Sequence, residues 1–411
     1  MKSLVLCGGL GTRLRSVVSE LPKPMAPVNG KPFLDYVLDW LKSNGIEDVI
    51  LLTGYKGEYV EKHVKEKDLG LNIECSTEPE PLGTAGAIKY AARNRELGEK
   101  FLLVNGDTYF DVDLKSMMNF DKTKNSIATI ALRVTNDSSR YGTVSVNDNY
   151  RITEFVEKKD SKDPGFMNGG IYILSKMILD MIPEGMPCSM EKDIFPKLAE
   201  NGSVFGYPEG GHFIDIGIPE DYERAQTLLP EWESSTKRPA FFLDRDGVLI
   251  EDTGYVHSKD DMKFLPGSIE ALKKINESGK MCVVVSNQAG VAHGYYSEKD
   301  VLDFEKYMER ELEKRGVKLD GFYYCPYHPQ AEIKRYRHDS VYRKPNPGMM
   351  LKAAEDLSIS LSESVVIGDK ETDRVKLPQL RSYVIKSRYV SKWDFDSLFN
   401  CVEKLTKGHE R

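Results

Sequence analysis

Short apolar runs alternate with stretches whose apolar residues recur every three or four positions, starting at the first residues of the chain. Ser3-Leu4-Val5-Leu6 reads as a strand, 32–45 as a helix, Asp48–Thr53 as a strand and 57–67 as a helix. The series continues through a strand at 72–78, a helix at 84–93 and the strand 100–107. Such alternation predicts a largely parallel sheet covered on both faces. After Asn125 the text turns strand-rich (127–134, 142–147, 151–158, 169–175), so a mixed sheet with an inserted lobe is expected. A helix-like stretch, 221–232, leads into Glu233-Ser234-Ser235-Thr236-Lys237-Arg238-Pro239, a polar run closed by proline and the best linker in the chain. From Ala240 the alternation begins again, with strands at 240–244, 281–287, 322–325 and 364–369 and helices at 268–279, 299–315 and 348–357. The reading is therefore α/β throughout: one domain over 1–232, a linker over 233–239, and a smaller domain over 240–411.

Composition narrows this only slightly. A chain of 411 residues exceeds one compact core and suits two. No apolar run approaches the roughly 20 residues that cross a bilayer, and the first residues lack a signal-peptide layout. No membrane association is expected, and a cytoplasmic location is. The six cysteines lie far apart, which suits a reducing compartment better than a disulfide framework. A net charge of −7 argues against nucleic acid as a partner, where a basic footprint is the rule. Small anionic substrates remain open, because local Lys, Arg, amide and metal groups decide their binding.

The first half carries four features of phosphate chemistry. Gly8, Gly9 and Gly11 follow the first strand, and Thr12 and Arg13 come next. Glycines let backbone N–H groups approach phosphate oxygens, and Arg13 adds bidentate charge. Lys23 stands between Pro22 and Pro24, a stiffened cation. Asp107 and Asp215 each end an apolar run, where ligands of open α/β sheets gather. Taken singly, a glycine turn is usually a turn, a surface lysine is solvated and a strand-end Asp is a cap.

Together the motifs GGLGTRL, PKPM, VNGD, FVEKK, NGGIY and DIGIPEDY resemble the sugar-1-phosphate nucleotidyltransferase family over essentially residues 1–230. Within it, the wording at 11–41, with PLGTAGAI and NGDTYFDVDL, is most similar to the heptose 1-phosphate guanylyltransferases, and the mannose 1-phosphate guanylyltransferases come next. The resemblance implies a Rossmann-like mixed-sheet domain, GTP and a sugar 1-phosphate as substrates, and Mg²⁺ held by Asp107 and Asp215. It implies that Arg13 and the amides of Gly8, Gly9, Gly11 and Thr12 hold the triphosphate, that Lys23 sits beside the reacting phosphates, and that Gly83 and Thr84 lie against base and ribose. Glu157, Asn168 and Gly169 would meet the sugar and Lys158 its phosphate. Cys7 stands where many relatives have alanine, and Lys159 where many have proline.

In the second half Asp244 and Asp246 stand two apart just past an apolar strand. Like charges over a buried strand make sense when a cation or substrate neutralises them; a lone pair of this kind is otherwise a surface turn. Ser286 and Asn287 end the next strand, Lys344 precedes a helix, and Asp369 ends a strand with Asp373 a turn later. This order resembles the haloacid dehalogenase-like phosphatases over 240 to about 390. The resemblance makes Asp244 the nucleophile and Asp246 the acid and base. Mg²⁺ would be held by Asp244, Asp369 and the backbone carbonyl of Asp246, and the phosphoryl group by Ser286, Asn287 and Lys344. Inside that group LDRDGVLIEDTGYVH, SNQAGVAHG, GFYYCPYHP and RKPNPGM resemble heptose bisphosphate phosphatases and histidinol-phosphatases, and Arg343 would grip a substrate phosphate. Many of those relatives hold zinc with Cys-x-His and Cys-x-Cys pairs. Here Tyr327 and Ser340-Val341-Tyr342 replace three ligands, so zinc is not expected, His328 and His338 notwithstanding.

The two resemblances converge on one substrate series. A phosphatase that removes the 7-phosphate of a heptose 1,7-bisphosphate yields the heptose 1-phosphate a guanylyltransferase consumes. Three rivals stand beside this: another sugar such as mannose, a histidinol-phosphatase-like second domain, and a non-catalytic sensor in either half. Base, anomer and any homo-oligomer stay open.

Overall fold

Runs too short for helices and rich in Val, Leu and Ile become interior strands, because parallel strands covered on both faces need no polar alternation. In the computed structural model, which describes residues 1–9, 13–14, 17–18, 20–135, 143–156 and 164–407, two units are resolved, Met1–Ser235 and Thr236–Arg411. In the first, Ser3–Leu6 lies between Asp48–Thr53 and Lys100–Asn105, parallel to both, and Asn72–Thr77 continues the sheet beyond Asp48–Thr53. Val5, Val49, Leu51, Leu102 and Val104 pack with Phe33, Val37 and Leu41 of the helix Phe33–Ser43. Leu4, Ile50, Leu52, Phe101 and Leu103 pack on the other face with Ala85 and Ile88 of Gly83–Ala92. One sheet thus closes two cores.

The strand-rich stretch supplies the antiparallel part. Gly165–Ser175 pairs with Lys100–Asn105 on one side and Ala128–Thr135 on the other, with a register break between Asn168 and Tyr172. Thr143–Val146 and Ile152–Val156 extend the sheet from Gly165–Ser175, and Val204–Pro208 runs parallel to Ala128–Thr135. A separate two-stranded ribbon pairs Thr108–Phe110 with Phe213–Asp215, and its register sets Asp215 opposite Thr108. That pairing brings together two aspartates 108 positions apart in the chain.

The second unit holds a five-stranded parallel sheet in the order Gly321–Cys325, Met281–Asn287, Ala240–Leu243, Val365–Gly368, Arg381–Val384. The chain starts in the middle and builds outward first to one side and then to the other. The reversal leaves a crevice at the carboxyl ends of Ala240–Leu243 and Val365–Gly368, where ligands of such sheets bind. Ser268–Glu277, Glu298–Glu313 and Leu398–Lys407 bury their apolar faces against Phe241, Leu243, Val284 and Ile367.

One local reading changes. The helix Pro219–Ser234 runs two residues into the stretch expected as linker, and Arg238 already bridges to Ile359. The one-turn helix Glu371–Asp373 is followed by an irregular stretch up to the strand Arg381–Val384. Among the described residues, no helix is long and apolar enough to cross a membrane.

Phe242 is fully buried in the central strand of the second unit. Phe242→Ala is expected to destabilise that unit by about 3–5 kcal/mol, from lost transfer energy and a residual cavity, read as a lower urea midpoint at unchanged slope.

Candidate active sites

In the first unit, Gly8 and Gly9 leave the strand Ser3–Leu6 at the same edge as Asn105 and Asp107, and a cavity of about 350 Å³ opens there. Its walls include Gly8, Gly9, Glu78, Gly83, Thr84, Asp107 and Glu191. A Cβ on Gly8 would meet the amide nitrogen of Gly54 at 3.3 Å and Glu78 Oε1 at 3.5 Å, so the backbone itself forms the wall. Gly83 has φ +74°, and a Cβ there would press to 2.6 Å from the Cys188 carbonyl oxygen. Only glycine fits that turn.

Lys23 opens a one-turn helix between its two prolines and drives its ammonium to Asp107 Oδ2 (2.6 Å) and Asp215 Oδ1 (3.1 Å). Burial disfavours the ammonium, but the two carboxylates outweigh it and hold its pKa above the usual lysine range. Burial raises Asp215, and Lys23 pulls it back. The N–H of Gly217 also donates to Asp215 Oδ1 at 2.7 Å. Lysine and amide thus take one oxygen from each aspartate. Asp107 Oδ1 receives a long 3.4 Å contact from the Thr108 hydroxyl. It and Asp215 Oδ2 make a carboxylate donor set suited to a hard divalent cation.

The second site is built on the buried Lys344. Its ammonium lies 3.0 Å from Asp244 Oδ1 and 2.7 Å from Asp373 Oδ1, and it donates to the Val285 carbonyl at 2.8 Å. Asn287 fixes the lysine in place: its amide donates to the Lys344 carbonyl (3.1 Å) and accepts from the Lys344 N–H (3.0 Å). Burial pushes Asp244 up to about 6 against the pull of Lys344, and Asp369 up to about 7 against that of Lys370.

Carboxylate oxygens of Asp244, Asp369 and Asp373 lie within 4.8 Å of one another. Asp373 is already committed, since its Oδ2 accepts the N–H groups of Asp369 and Lys370 (3.0 Å each) and its Oδ1 faces Lys344. Asp369 Oδ1 is different: it is buried and lacks a hydrogen-bond partner among the described residues, with the Lys370 ammonium 3.8 Å away. A buried carboxylate oxygen left so is costly unless a cation occupies the space beside it. Gly247 keeps that space clear, for a Cβ there would fall 2.2 Å from Asp369 Oδ2. Asp244 and Asp369 therefore fit a divalent cation.

Several expected contacts are arranged differently. The Asp246 carboxylate takes no part in the carboxylate cluster; the fully buried Arg245 clamps it with Nε–Oδ1 3.0 Å and Nη2–Oδ2 2.8 Å. Asn287 is spent on the Lys344 backbone rather than turned to a substrate. Thr84 donates to Glu191 (3.0 Å) and accepts from the Met190 N–H (2.8 Å), so its side chain pins the loop. Asn168 spans the register break by accepting from Gly170 N–H (2.9 Å) and donating to the Tyr172 hydroxyl (2.9 Å). A Cβ on Gly169 would collide with the Phe110 ring at 2.6 Å. Arg13 is exposed and is not among the cavity walls given above. Arg343 donates to the Tyr327 carbonyl at 3.2 Å. Gly11, Thr12, Glu157 and Lys158 lie outside the described residues.

Sequence patterns passed over Glu78, Glu191, Arg245 and Gln288. Arg245 stands between the two aspartates and Gln288 directly after Ser286-Asn287, so adjacency was the available signal.

The profile of the nucleotidyl transferase family matches residues 2–231, more than half of the chain. The chain belongs to the nucleotidyl transferase family. The D-glycero-alpha-D-manno-heptose 1-phosphate guanylyltransferase of Aneurinibacillus thermoaerophilus is 44% identical over 232 residues, 56% of this chain and 100% of that protein. A mannose-1-phosphate guanylyltransferase of Mycobacterium tuberculosis is 35% identical over 55% of this chain and 64% of its own length. The crystal structure of HddC from Yersinia pseudotuberculosis complexed with GMP-PN shares 37% identity at a TM-score of 0.50, covering 55% of this chain and 97% of that one. Residues 239–397 match the polynucleotide kinase 3 phosphatase family. This nucleotidyl transferase therefore continues into a haloacid dehalogenase-like phosphatase unit, and one chain joins the two enzyme types.

Raised carboxyl pKa values give the second site a definite pH response. With folded values of about 6 and about 7 for Asp244 and Asp369 against an ordinary 3.8, their contribution to stability is complete below the unfolded value. It is lost as pH rises through about 6 to about 7. A bound cation favours the ionised forms, so the Tm gain on adding Mg²⁺ is expected to grow between about pH 5 and about pH 8. Gly247→Ala is expected to remove most of that gain, as measured by scanning calorimetry.

Proposed function

We propose that residues 240–411 remove the 7-phosphate of a heptose 1,7-bisphosphate, and that residues 1–232 join the resulting heptose 1-phosphate to GMP from GTP. The observation that carries this is the 44% identity of the first unit to a heptose 1-phosphate guanylyltransferase along that protein's whole length, on a chain that continues into a phosphatase. The proposed location is cytoplasmic, and the proposed metal is Mg²⁺ in both units.

In the phosphatase step Asp244 attacks phosphorus, the bond to the sugar oxygen breaks, and Asp246 gives its proton to the leaving alkoxide. Asp246, now a carboxylate, takes a proton from water, whose oxygen attacks phosphorus and releases phosphate and Asp244. Lys344 keeps Asp244 ionised and, with the Ser286 hydroxyl, faces the transferring oxygens. Asp244 and Asp369 would hold Mg²⁺, which would supply charge neutralisation for the phosphoryl group. Arg343 would hold the phosphate that stays.

In the transfer step an oxygen of the sugar 1-phosphate attacks the α-phosphorus of GTP in line and pyrophosphate leaves; positioning and charge neutralisation suffice. The amides of Gly8, Gly9, Gly11 and Thr12, with Arg13, would hold the triphosphate. Lys23 offsets charge on the reacting phosphates, and Asp107 and Asp215 would hold the ion. Gly83 and Thr84 shape the wall against base and ribose, while Glu157, Lys158, Asn168 and Gly169 belong to the sugar side. Glu78 supports the choice of base: its carboxylate lines the cavity, burial raises its pKa, and the Leu82 N–H anchors Oε2 at 3.2 Å. A carboxylate accepts from the N1–H and N2–H₂ donors of guanine, which adenine lacks.

The test is ³¹P NMR with Mg²⁺, GTP and α-configured heptose 1,7-bisphosphate. Phosphate should appear first, then pyrophosphate and a sugar-nucleotide diester. Absence of both products from folded protein would remove the heptose assignment. Glu78→Gln is expected to cut the preference for GTP over ATP in kcat/KM by about 10-fold to 100-fold, the worth of one charge-assisted hydrogen bond.

A further inference from the structure

The carboxamide of Gln288 is buried in the second unit, and both its nitrogen and its oxygen have hydrogen-bond partners. Its Nε2 donates to Ser286 Oγ at 2.6 Å and to Asp246 Oδ2 at 3.3 Å. Its Oε1 accepts from the Tyr296 hydroxyl at 2.8 Å and from Arg245 Nη2 at 3.3 Å. Both donor hydrogens meet acceptors, and the Tyr296 hydroxyl is the main donor to the oxygen, because the two Arg245 Nη2 hydrogens already serve Asp246 Oδ2 (2.8 Å) and the Val256 carbonyl (2.6 Å). The orientation is forced, because turning the amide over would set its NH₂ against a guanidinium and its oxygen against a carboxylate.

Arg245 and Tyr296 are themselves buried and packed. Arg245 is fully buried, donates to the Val256 carbonyl at 2.6 Å, and lies 4.7 Å from the Phe304 ring centroid. Tyr296 is buried beneath His257, ring centroids 4.7 Å apart, and packs so closely on Gly290 that a Cβ there would come within 2.2 Å of its ring. The backbone N–H of Gln288 is bonded to the Cys325 carbonyl at 2.8 Å.

We propose that Gln288 is a positioning residue of the phosphatase, aligning the Ser286 hydroxyl and the Asp246 carboxylate at once. The inference rests on the aspartyl-phosphatase reading of the second unit. Because Ser286 Oγ accepts from Gln288, its own hydrogen points away from the amide and remains to donate to a phosphoryl oxygen. On the other side Gln288 and Arg245 together hold Asp246, the group that must deliver a proton to the leaving alkoxide and recover one from water. A single amide thus sets the direction of one donor and the place of one acid.

The leaving group exposes this role. An alkoxide needs the proton from Asp246, whereas p-nitrophenolate leaves readily without it, so in the step that forms the aspartyl-phosphate the loss of Asp246 alignment falls mainly on alkyl phosphates. Gln288→Leu in the full chain is expected to lower kcat/KM, which reports formation of the aspartyl-phosphate, by about 100-fold for the sugar bisphosphate and by less than about 10-fold for p-nitrophenyl phosphate. Tyr296→Phe, which leaves the bonds from Nε2 to Ser286 and Asp246 to orient the amide, should fall between wild type and Gln288→Leu on the alkyl substrate. Equal losses on both substrates, or wild-type rates on both, would overturn the proposal. Wild-type protein that hydrolyses neither phosphate ester would instead remove the phosphatase reading beneath it.

Discussion

Lys344 places an ammonium between two buried carboxylates, and the second unit's site is arranged around that placement. Asp244 and Asp373 sit above a parallel sheet with little water to screen them. Without a cation between them their repulsion and desolvation would favour protonation or a different loop geometry. The lysine reaches them because Asn287 grips its backbone by both N–H and C=O. Asp373 in turn holds the N–H groups that present Asp369. Asp244, Lys344, Asp373 and Asp369 are therefore one connected body of ion pairs and hydrogen bonds.

The first unit meets the same difficulty in the same way with different parts. Lys23 bridges Asp107 and Asp215 from a proline-bounded turn, and the ribbon register sets the two aspartates side by side. In both units a strand with parallel neighbours on either side, Ser3–Leu6 in one and Ala240–Leu243 in the other, ends at the site. Such a crevice offers anionic groups and anionic substrates to one pocket, so a fixed cation at its floor serves both units. The chemistries diverge above that floor. The first site presents glycine backbone and an open cavity, while the second presents the lysine-paired Asp244 beside the arginine-clamped Asp246.

Much of this was legible before any coordinates. Alternating apolar runs imply buried parallel strands, and Asp107, Asp244 and Asp369 follow such runs at the end where ligands collect. Lys23 and Lys344 were visible as cations set beside prolines. Asn287 and Thr84 belong to their sites, yet their polar atoms are turned to protein partners. Whether an amide or hydroxyl faces a substrate or a neighbouring loop depends on what packs against it, and local sequence does not carry that.

The sequence by itself determined the α/β class, the two units, the strand-end carboxylates and the two lysines, because each follows from local hydrophobic period or backbone restriction. Tertiary structure alone decided which groups pair. Asp215 meets Asp107 through a ribbon register, Arg245 turns inward to clamp Asp246, and Glu78 reaches the wall of a cavity between distant loops. It also decided the burial that raises Asp244 and Asp369. Pairing and desolvation are properties of neighbours in space, and the neighbours here come from segments tens to nearly two hundred residues apart.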